Sequence, residues 1–226
     1  RPDLLKLTVT GVRAHVGLAL DGDGDRVVMV DERGNLVDGD QLLFVLACDR
    51  LANGGLKGPV VGTVMSNLGL ELALAERGAS FLRAKVGDRY VLAMLKEHGG
   101  ILGGETSGHV LCLDRTTTGD GLVTALQVLA IMQRSGRSLS ELTHGMPQFP
   151  QVLLNVQVKK PSDPHGDLAV REAVAAAEAE LGGRGRIVLR ASGTEPVIRV
   201  MVEGENRQQV TLLASRLADT VRATFS

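Results

Sequence analysis

The sequence predicts an α/β protein: a mixed α/β layer domain followed by a small α+β C-terminal domain with a mostly antiparallel sheet. Two observations carry this expectation. Up to about residue 135, short β-rich apolar runs alternate with amphipathic stretches of about 10–15 residues, the pattern of strands connected by helices. After the proline-bearing break Met146-Pro147-Gln148-Phe149-Pro150, three strands and two helices follow, a set that builds one small antiparallel sheet with helices against it. A chain of 226 residues at 44% hydrophobic content has enough apolar material for one substantial core or two modest ones.

In chain order, Leu4, Leu5, Leu7 and Val9 belong to an element whose packing partners are missing from the sequence. The chain opens at Arg1-Pro2 without Met and is expected to be a fragment of something longer. Residues 16–20 and 27–30 are short runs rich in β-formers, hence two buried strands with a loop between them. Residues 31–35 make a turn, and Leu36-Val37 resumes extension. Asp40 is the expected N-cap of a helix over 41–51, closed by Gly54-Gly55. Residues 60–64 form a strand, and Ser66 caps a helix through Ala75. Phe81-Leu82 leads a strand towards Lys85, and Asp88 caps a helix over 89–98. Short strands at 101–102 and 109–113 precede a long helix over about 121–132. Ser138 and Glu141 form a capping box for one short helix. Beyond the break come a strand over 152–158, a polar loop over 161–166, an Ala-rich helix over 168–181 and strands at 187–189 and 197–202. Asn206 with Gln209 starts a last helix ending near Phe225.

Composition excludes several functions. Lys and Arg nearly balance Asp and Glu, for a net charge of −1, so there is no one-signed field for a nucleic acid. The aromatics are Phe44, Phe81, Phe149, Phe225 and Tyr90, with no Trp, too few for base-stacking or sugar-stacking platforms. Cys48 and Cys112 sit in apolar runs as small core residues. No long apolar stretch or signal peptide stands out, so a soluble cytoplasmic protein without membrane contact is expected.

Chemistry concentrates in loops. Asp21-Gly22-Asp23-Gly24-Asp25-Arg26 carries three carboxylates at alternate positions between two apolar strands. Like charges so placed repel unless a cation holds them, and hard oxygen ligands without Cys or His favour magnesium or calcium over zinc. A solvated acidic turn is the plainer reading, but such turns are seldom clamped between apolar strands. An EF-hand is rejected because its sixth position needs Gly and here is Arg26, with strands rather than helices on both sides. Three carboxylates leave part of an octahedral magnesium shell for water or a phosphate oxygen.

The second loop is Gly103-Gly104-Glu105-Thr106-Ser107-Gly108-His109. Its glycines admit a close ligand, and Glu105 and Ser107 point the same way if the backbone is extended, as sugar hydroxyls would require. His109 adjoins it. The alternative is a polar hairpin turn. In the third loop, Arg190-Ala191-Ser192-Gly193-Thr194-Glu195, one guanidinium, two hydroxyls and an open backbone amide suit a phosphate, against the alternative of a turn with an exposed Arg. Arg199 either assists or faces solvent. Lys85-Val86-Gly87-Asp88-Arg89-Tyr90 lies at a strand-to-helix junction, where Lys85 and Arg89 add positive charge for an anion. Thr116–Asp120 is a turn and cap, and His15, His98, His144 and His165 have no ligand spacing. Metal, sugar and phosphate loops together point to a phosphorylated sugar.

These loops resemble the metal-, sugar- and phosphate-binding loops of the α-D-phosphohexomutase superfamily, in the same order and along essentially the whole chain. Thr63-Val64-Met65-Ser66-Asn67-Leu68-Gly69, residues 85–91 and Ser192-Gly193-Thr194-Glu195-Pro196 resemble its glucosamine-phosphate branch more closely than the others. The resemblance implies four domains around a cleft, of which this chain holds an incomplete tail of the metal-binding domain (1–38), the sugar-binding α/β domain (39–147) and the phosphate-binding domain (148–226). It implies interconversion of glucosamine 6-phosphate and glucosamine 1-phosphate through a phosphoserine and a 1,6-bisphosphate. The phosphoserine loop has no match here, so the fragment alone is expected to bind without turnover. Asp21, Asp23 and Asp25 would hold one magnesium ion per active site, and Arg26 and Lys85 would act at the transferring group. Glu105, Ser107 and His109 would meet the sugar, and Arg190, Ser192, Gly193 and Thr194 the other phosphate. A hexosamine 1,6-bisphosphate is the expected activator. Expected partners are a small-molecule phosphosugar and the N-terminal half of the same protein, with a homodimer left open. Glucose or mannose phosphate mutase activity, or a non-catalytic phosphosugar-binding module, are the alternatives.

Overall fold

The computed structural model describes residues 2–159, 163–192 and 195–225. It forms two compact units, Arg1–Pro147 and Gln148–Ser226. The mixed α/β architecture agrees with the fold class expected from the sequence.

The first unit opens with α1 (Asp3–Val12) and an antiparallel meander of β1 (Val16–Leu20), β2 (Val27–Asp31) and β3 (Leu36–Val37). The leading apolar residues do have a partner. A Cβ placed at Gly17 of β1 would meet the Val9 and Leu5 side chains, so α1 lies directly on the strand. Leu4, Leu7 and Val12 remain exposed.

Next come α2 (Gly39–Ala52), β4 (Val60–Thr63), α3 (Leu68–Ala75), β5 (Phe81–Ala84), α4 (Asp88–His98), β6 (Leu102–Gly104), β7 (Val110–Cys112), α5 (Gly121–Ser135) and α6 (Leu139–Thr143). Their sheet has the order β5-β4-β6-β7, with β4 parallel to β5 and β6, and β7 antiparallel to β6. Six consecutive α2 residues, Leu42 to Ala47, are all buried. A helix apolar on every side must be central. Here it packs against Met29 and Val37 of the meander, Leu70 and Leu74 of α3 and Val128 of α5, so one core joins the meander to the larger sheet.

Ser138 and Glu141 form the expected capping box, while three other caps differ from the sequence expectation by one or two residues. Asp38, extended at φ −85° and ψ 177°, caps α2 through a capping box with Gln41, and Asp40 lies inside the first turn. Asn67 caps α3 by accepting from Gly69 N, whereas the Ser66 hydroxyl accepts from Thr63 N. Gly87, at φ 127°, precedes α4 in place of Asp88. A cap is the last residue outside helical geometry, and residue type alone does not locate that point.

In the second unit, β8 (Gln151–Gln157), a 3₁₀ turn (Pro164–Gly166), α7 (Leu168–Leu181), β9 (Gly185–Ala191), β10 (Val197–Gly204) and α8 (Arg207–Phe225) build an antiparallel sheet ordered β8-β10-β9. Val200 and Val202 of β10 meet Val170 and Leu181 of α7 and Leu217 and Val221 of α8 in its core. Arg190 and Ala191 belong to β9 itself, not to the following loop. Among the described residues no helix is long and apolar enough to cross a membrane.

Two glycines test this packing in opposite directions. A Cβ at Gly39 would run into Glu105 O and Gly108 N, while at Gly11 of α1 it would meet nothing within 4 Å. Gly39→Ala is expected to destabilise the protein by about 2–4 kcal/mol. Gly11→Ala should stabilise it by about 0.5–1 kcal/mol. Thermal and urea unfolding of both variants check the pair.

Candidate functional site

From β4 the chain passes to β5 on one side and then to β6 on the other, so the carboxyl ends of β4 and β6 flank a topological switch point. Open α/β sheets bind ligands in the crevice at such a point. The segments after β4, β5 and β6 are Val64–Asn67, Lys85–Gly87 and Glu105–His109.

The carboxylate loop between β1 and β2 is stitched to this edge through the backbone. Val27 N, directly after the loop, donates to Gly108 O at 3.1 Å; Gly39 N at the start of α2 donates to Thr106 O at 3.0 Å, and Gly121 N at the start of α5 donates to Gly24 O of the carboxylate loop at 2.9 Å. Arg26 and His109 form an isolated antiparallel bridge. Gly108 has φ +95°, and a Cβ on it would strike Val27 O, so both backbone conformation and space demand glycine.

Asp21, Asp23 and Asp25 each bring one oxygen within 4.8 Å of the others. Asp21 Oδ1 accepts from Gly24 N at 3.1 Å and Arg26 N at 3.2 Å. Burial by itself would raise the Asp21 carboxyl; the hydrogen bond donated by Arg26 N, with the Arg26 charge, brings it below the ordinary value. Arg26 Nε lies 3.8 Å from both Asp21 Oδ2 and Asp25 Oδ1. The buried His109 ring bonds Asp25 Oδ2 through Nδ1 at 3.0 Å. The other oxygen, Asp25 Oδ1, is buried without a hydrogen-bond partner. Three converging hard donors, one of them an orphaned buried oxygen, fit a divalent oxygen-seeking cation such as magnesium.

The sugar-side residues sit differently from the extended arrangement the sequence suggested. Gly108 N donates to Glu105 O at 2.9 Å, closing a tight turn over 105–108, so strand alternation does not align Glu105 with Ser107. Glu105 is half-buried and its Oε1 accepts from Gly87 N at 2.8 Å, which ties this turn to the Lys85–Gly87 loop. Ser107 and Lys85 are exposed. His109 was grouped with the sugar contacts. Its ring instead turns inward onto Asp25, with Nε2 facing Gly119.

Asp40 was missed altogether, because an Asp after a Gly near a helix start suggests only a cap. It is fully buried, and its Oδ2 accepts from both Asn67 N at 2.9 Å and the Thr106 hydroxyl at 2.8 Å. Burial, then the charge of Asp38, pushes the Asp40 carboxyl up to about 6.

In the second unit, Arg190 of β9 and Arg199 of β10 are direct cross-strand partners. Both are half-buried, each Nε is buried without a hydrogen bond, and among the described residues neither forms an ion pair. Like charges directly opposite are destabilising without an anion between them. Desolvation, then Arg199, lowers the Arg190 pKa from its ordinary value. Arg199, which the sequence left between assistant and solvent face, stands beside Arg190. Ser192 is buried, and Gly193 and Thr194 lie outside the described residues.

The fold and these loops define a phosphohexomutase-type protein. Residues 38–149 match the family model described as phosphoglucomutase/phosphomannomutase, alpha/beta/alpha domain III, and residues 153–220 match the C-terminal domain of the same family. The chain belongs to the phosphoglucomutase/phosphomannomutase family. It is 57% identical over 221 residues to phosphoglucosamine mutase of Alkalilimnicola ehrlichii, covering 98% of this chain and 49% of that protein. With the phosphoglucosamine mutase of Thioalkalivibrio sulfidiphilus it shares 58% identity over 225 residues, 98% of this chain and 50% of that protein. The chain thus spans about half the length of these relatives. A crystal structure of a family member from Burkholderia thailandensis superposes with a TM-score of 0.78 at 24% identity, over 98% of this chain and 49% of that one. Aspergillus fumigatus N-acetylphosphoglucosamine mutase, in complex with GlcNAc-6P and magnesium, gives 0.77 at 22% identity, over 91% and 52%.

Two outcomes are expected. Asp23→Asn should weaken magnesium binding at least about tenfold, and His109→Ala should weaken it about 10–100-fold by releasing Asp25; titration calorimetry reads both. The second concerns pH. The folded state holds the Asp40 proton more tightly than the unfolded chain, whose ordinary value is 3.8. Stability therefore falls as pH rises from about 4 to 6, by at most about 3 kcal/mol from this group. Asp40→Asn should remove that slope when urea unfolding is compared at pH 4.5 and 7.5, and parallel curves for parent and variant would refute the assignment.

Proposed function

We propose that the protein carrying this chain is a magnesium-dependent phosphosugar mutase interconverting glucosamine 6-phosphate and glucosamine 1-phosphate. The reaction runs through a phosphoserine outside this chain and a 1,6-bisphosphate that also serves as activator. One observation carries the reading: a carboxylate triad, with one ligand oxygen pinned by His109 and another left unpartnered, is sewn to the Glu105 turn. The identity to phosphoglucosamine mutases, over nearly the whole chain, supports this substrate over glucose or mannose phosphates. The complex of the Aspergillus enzyme with GlcNAc-6P and magnesium supports the ligand class.

In this reading residues 1–38 belong to a metal-binding domain, 39–147 to a sugar-binding domain and 148–226 to a phosphate-binding domain. Asp21, Asp23 and Asp25 hold magnesium, which when bound polarises a phosphoryl oxygen and offsets its charge. His109 fixes which Asp25 oxygen faces the metal, acting from outside the ligand set. Arg26 keeps its guanidinium beside the carboxylates, where charge develops on the transferring group. Glu105, held at Oε1 by Gly87 N, offers its other oxygen to a sugar hydroxyl, and Ser107 adds a second polar contact. Lys85 supplies positive charge at the same edge. Arg190, Arg199 and Ser192, with Gly193 and Thr194, bind the phosphate that is not transferring; an anion there relieves the two facing arginines.

The test is phosphorus NMR on the whole protein with magnesium and a trace of hexose 1,6-bisphosphate, offering glucosamine, glucose and mannose 6-phosphates separately. Preference for the glucosamine ester is expected. Preference for another ester keeps the mechanism and changes the substrate, and no turnover of any leaves a phosphosugar-binding module. Arg190→Ala should raise KM about 10–100-fold while leaving magnesium affinity unchanged; a matching loss of both would indicate misfolding.

A further inference from the structure

We propose that Asp40 is a positioning residue for the Glu105–Gly108 turn, linking it through Thr106 to the Thr63–Gly69 segment. This rests on the mutase reading, in which that turn meets the sugar. Asp40 sits in the first turn of α2, fully buried, where it has no part in capping; Asp38 and Gln41 complete that task. Its Oδ2 takes hydrogen bonds from different parts of the chain, Asn67 N at 2.9 Å and Thr106 Oγ1 at 2.8 Å, and the Ser66 side chain also hydrogen-bonds the carboxyl group. Its other oxygen makes none, and none of its hydrogen bonds comes from a cationic side chain.

A buried carboxyl with no cationic hydrogen-bond partner is costly, so its retention asks for a role that a neutral apolar residue could not fill. The geometry supplies one. Thr106 lies between Glu105 and Ser107, and its hydroxyl is the only side-chain anchor described for the apex of this turn. The turn's other ties are the Glu105 side chain, whose Oε1 accepts from Gly87 N, and backbone bonds from Gly39 N to Thr106 O, Gly108 N to Glu105 O and Val27 N to Gly108 O. These fix the backbone of the turn, and the Thr106 hydroxyl adds a side-chain bond at its apex. The far side of the anchor is rigid as well. Ser66 Oγ accepts from Thr63 N at 3.0 Å, and Arg83 Nη1 donates to Thr63 O at 3.1 Å and Ser66 O at 2.7 Å. Arg83 is itself paired with Glu71 at 2.8 Å. The Thr63–Gly69 segment, which carries no chemistry of its own in the proposed mechanism, is thereby explained as the fixed block against which Asp40 holds the sugar-facing turn.

The experiment compares Asp40→Ala, Asp40→Asn, Thr106→Val and Thr106→Ser in the whole protein. Steady-state kinetics, magnesium affinity, Tm and amide hydrogen exchange over residues 104–109 are read together. Asp40→Ala and Thr106→Val should raise KM about tenfold and speed exchange over 104–109 about tenfold, with kcat and magnesium affinity within about twofold. Asp40→Asn and Thr106→Ser, which keep the acceptor or the hydroxyl, should restore both readouts. Unchanged KM and exchange in Asp40→Ala and Thr106→Val would overturn the proposal. So would a joint fall of kcat, metal affinity and Tm without rescue by the conservative variants, which would mark Asp40 as merely structural. If the parent turns over none of the three hexose 6-phosphates, the mutase reading fails, and the exchange data alone decide whether Asp40 positions the turn.

Discussion

The close approach of the Glu105–Gly108 turn to both β2 and the start of α2 is the constraint on which the first unit depends. Gly108 lies against Val27 O and Gly39 against Glu105 O, distances that no side chain would permit. Because of that contact, a loop between two meander strands and a turn after a parallel strand form one surface. The carboxylates come from the first and Glu105 from the second. A shift of the turn would be passed to the carboxylate loop, since Val27 N, directly after that loop, is bonded to Gly108 O.

Unsatisfied polar groups mark where the molecule departs from ordinary packing. Among the buried polar atoms without hydrogen bonds, Asp25 Oδ1, Arg190 Nε and Arg199 Nε lie in the loops or strands of the candidate site, whereas Arg50 Nε on α2 lies outside it. The buried Glu203 on the same strand as Arg199 makes the contrast. Its two oxygens accept from Gln151 and Arg186, so it is structurally complete. Orphaned polar atoms of a native protein generally have a partner missing from view; in the first unit the orphaned carboxylate oxygen suits a cation, and in the second the facing guanidinium groups suit an anion.

Much of the fold was legible because its cues are local. The helix over 168–181 and the short helix opened by Ser138 follow from periodicity and capping chemistry within a few residues. Helix starts were less legible: Asp38, Asn67 and Gly87 hold positions given to Asp40, Ser66 and Asp88, since neighbouring polar residues compete for the cap and packing chooses between them. The leading apolar residues seemed partnerless because their partner, β1, is recognised only once Gly17 is seen beneath Val9.

The sequence by itself determined the chemistry on offer: three carboxylates at alternate positions, a glycine-flanked Glu105 turn and an Arg-Ala-Ser segment, each defined by residues a few positions apart. Tertiary structure alone decided the partners. His109 reaches Asp25 across 84 positions and Thr106 reaches Asp40 across 66, while Arg199 stands opposite Arg190 by strand register. Short-range patterns follow from backbone periodicity, whereas long-range pairs depend on how sheets and helices pack, and a single unaligned sequence carries no record of that.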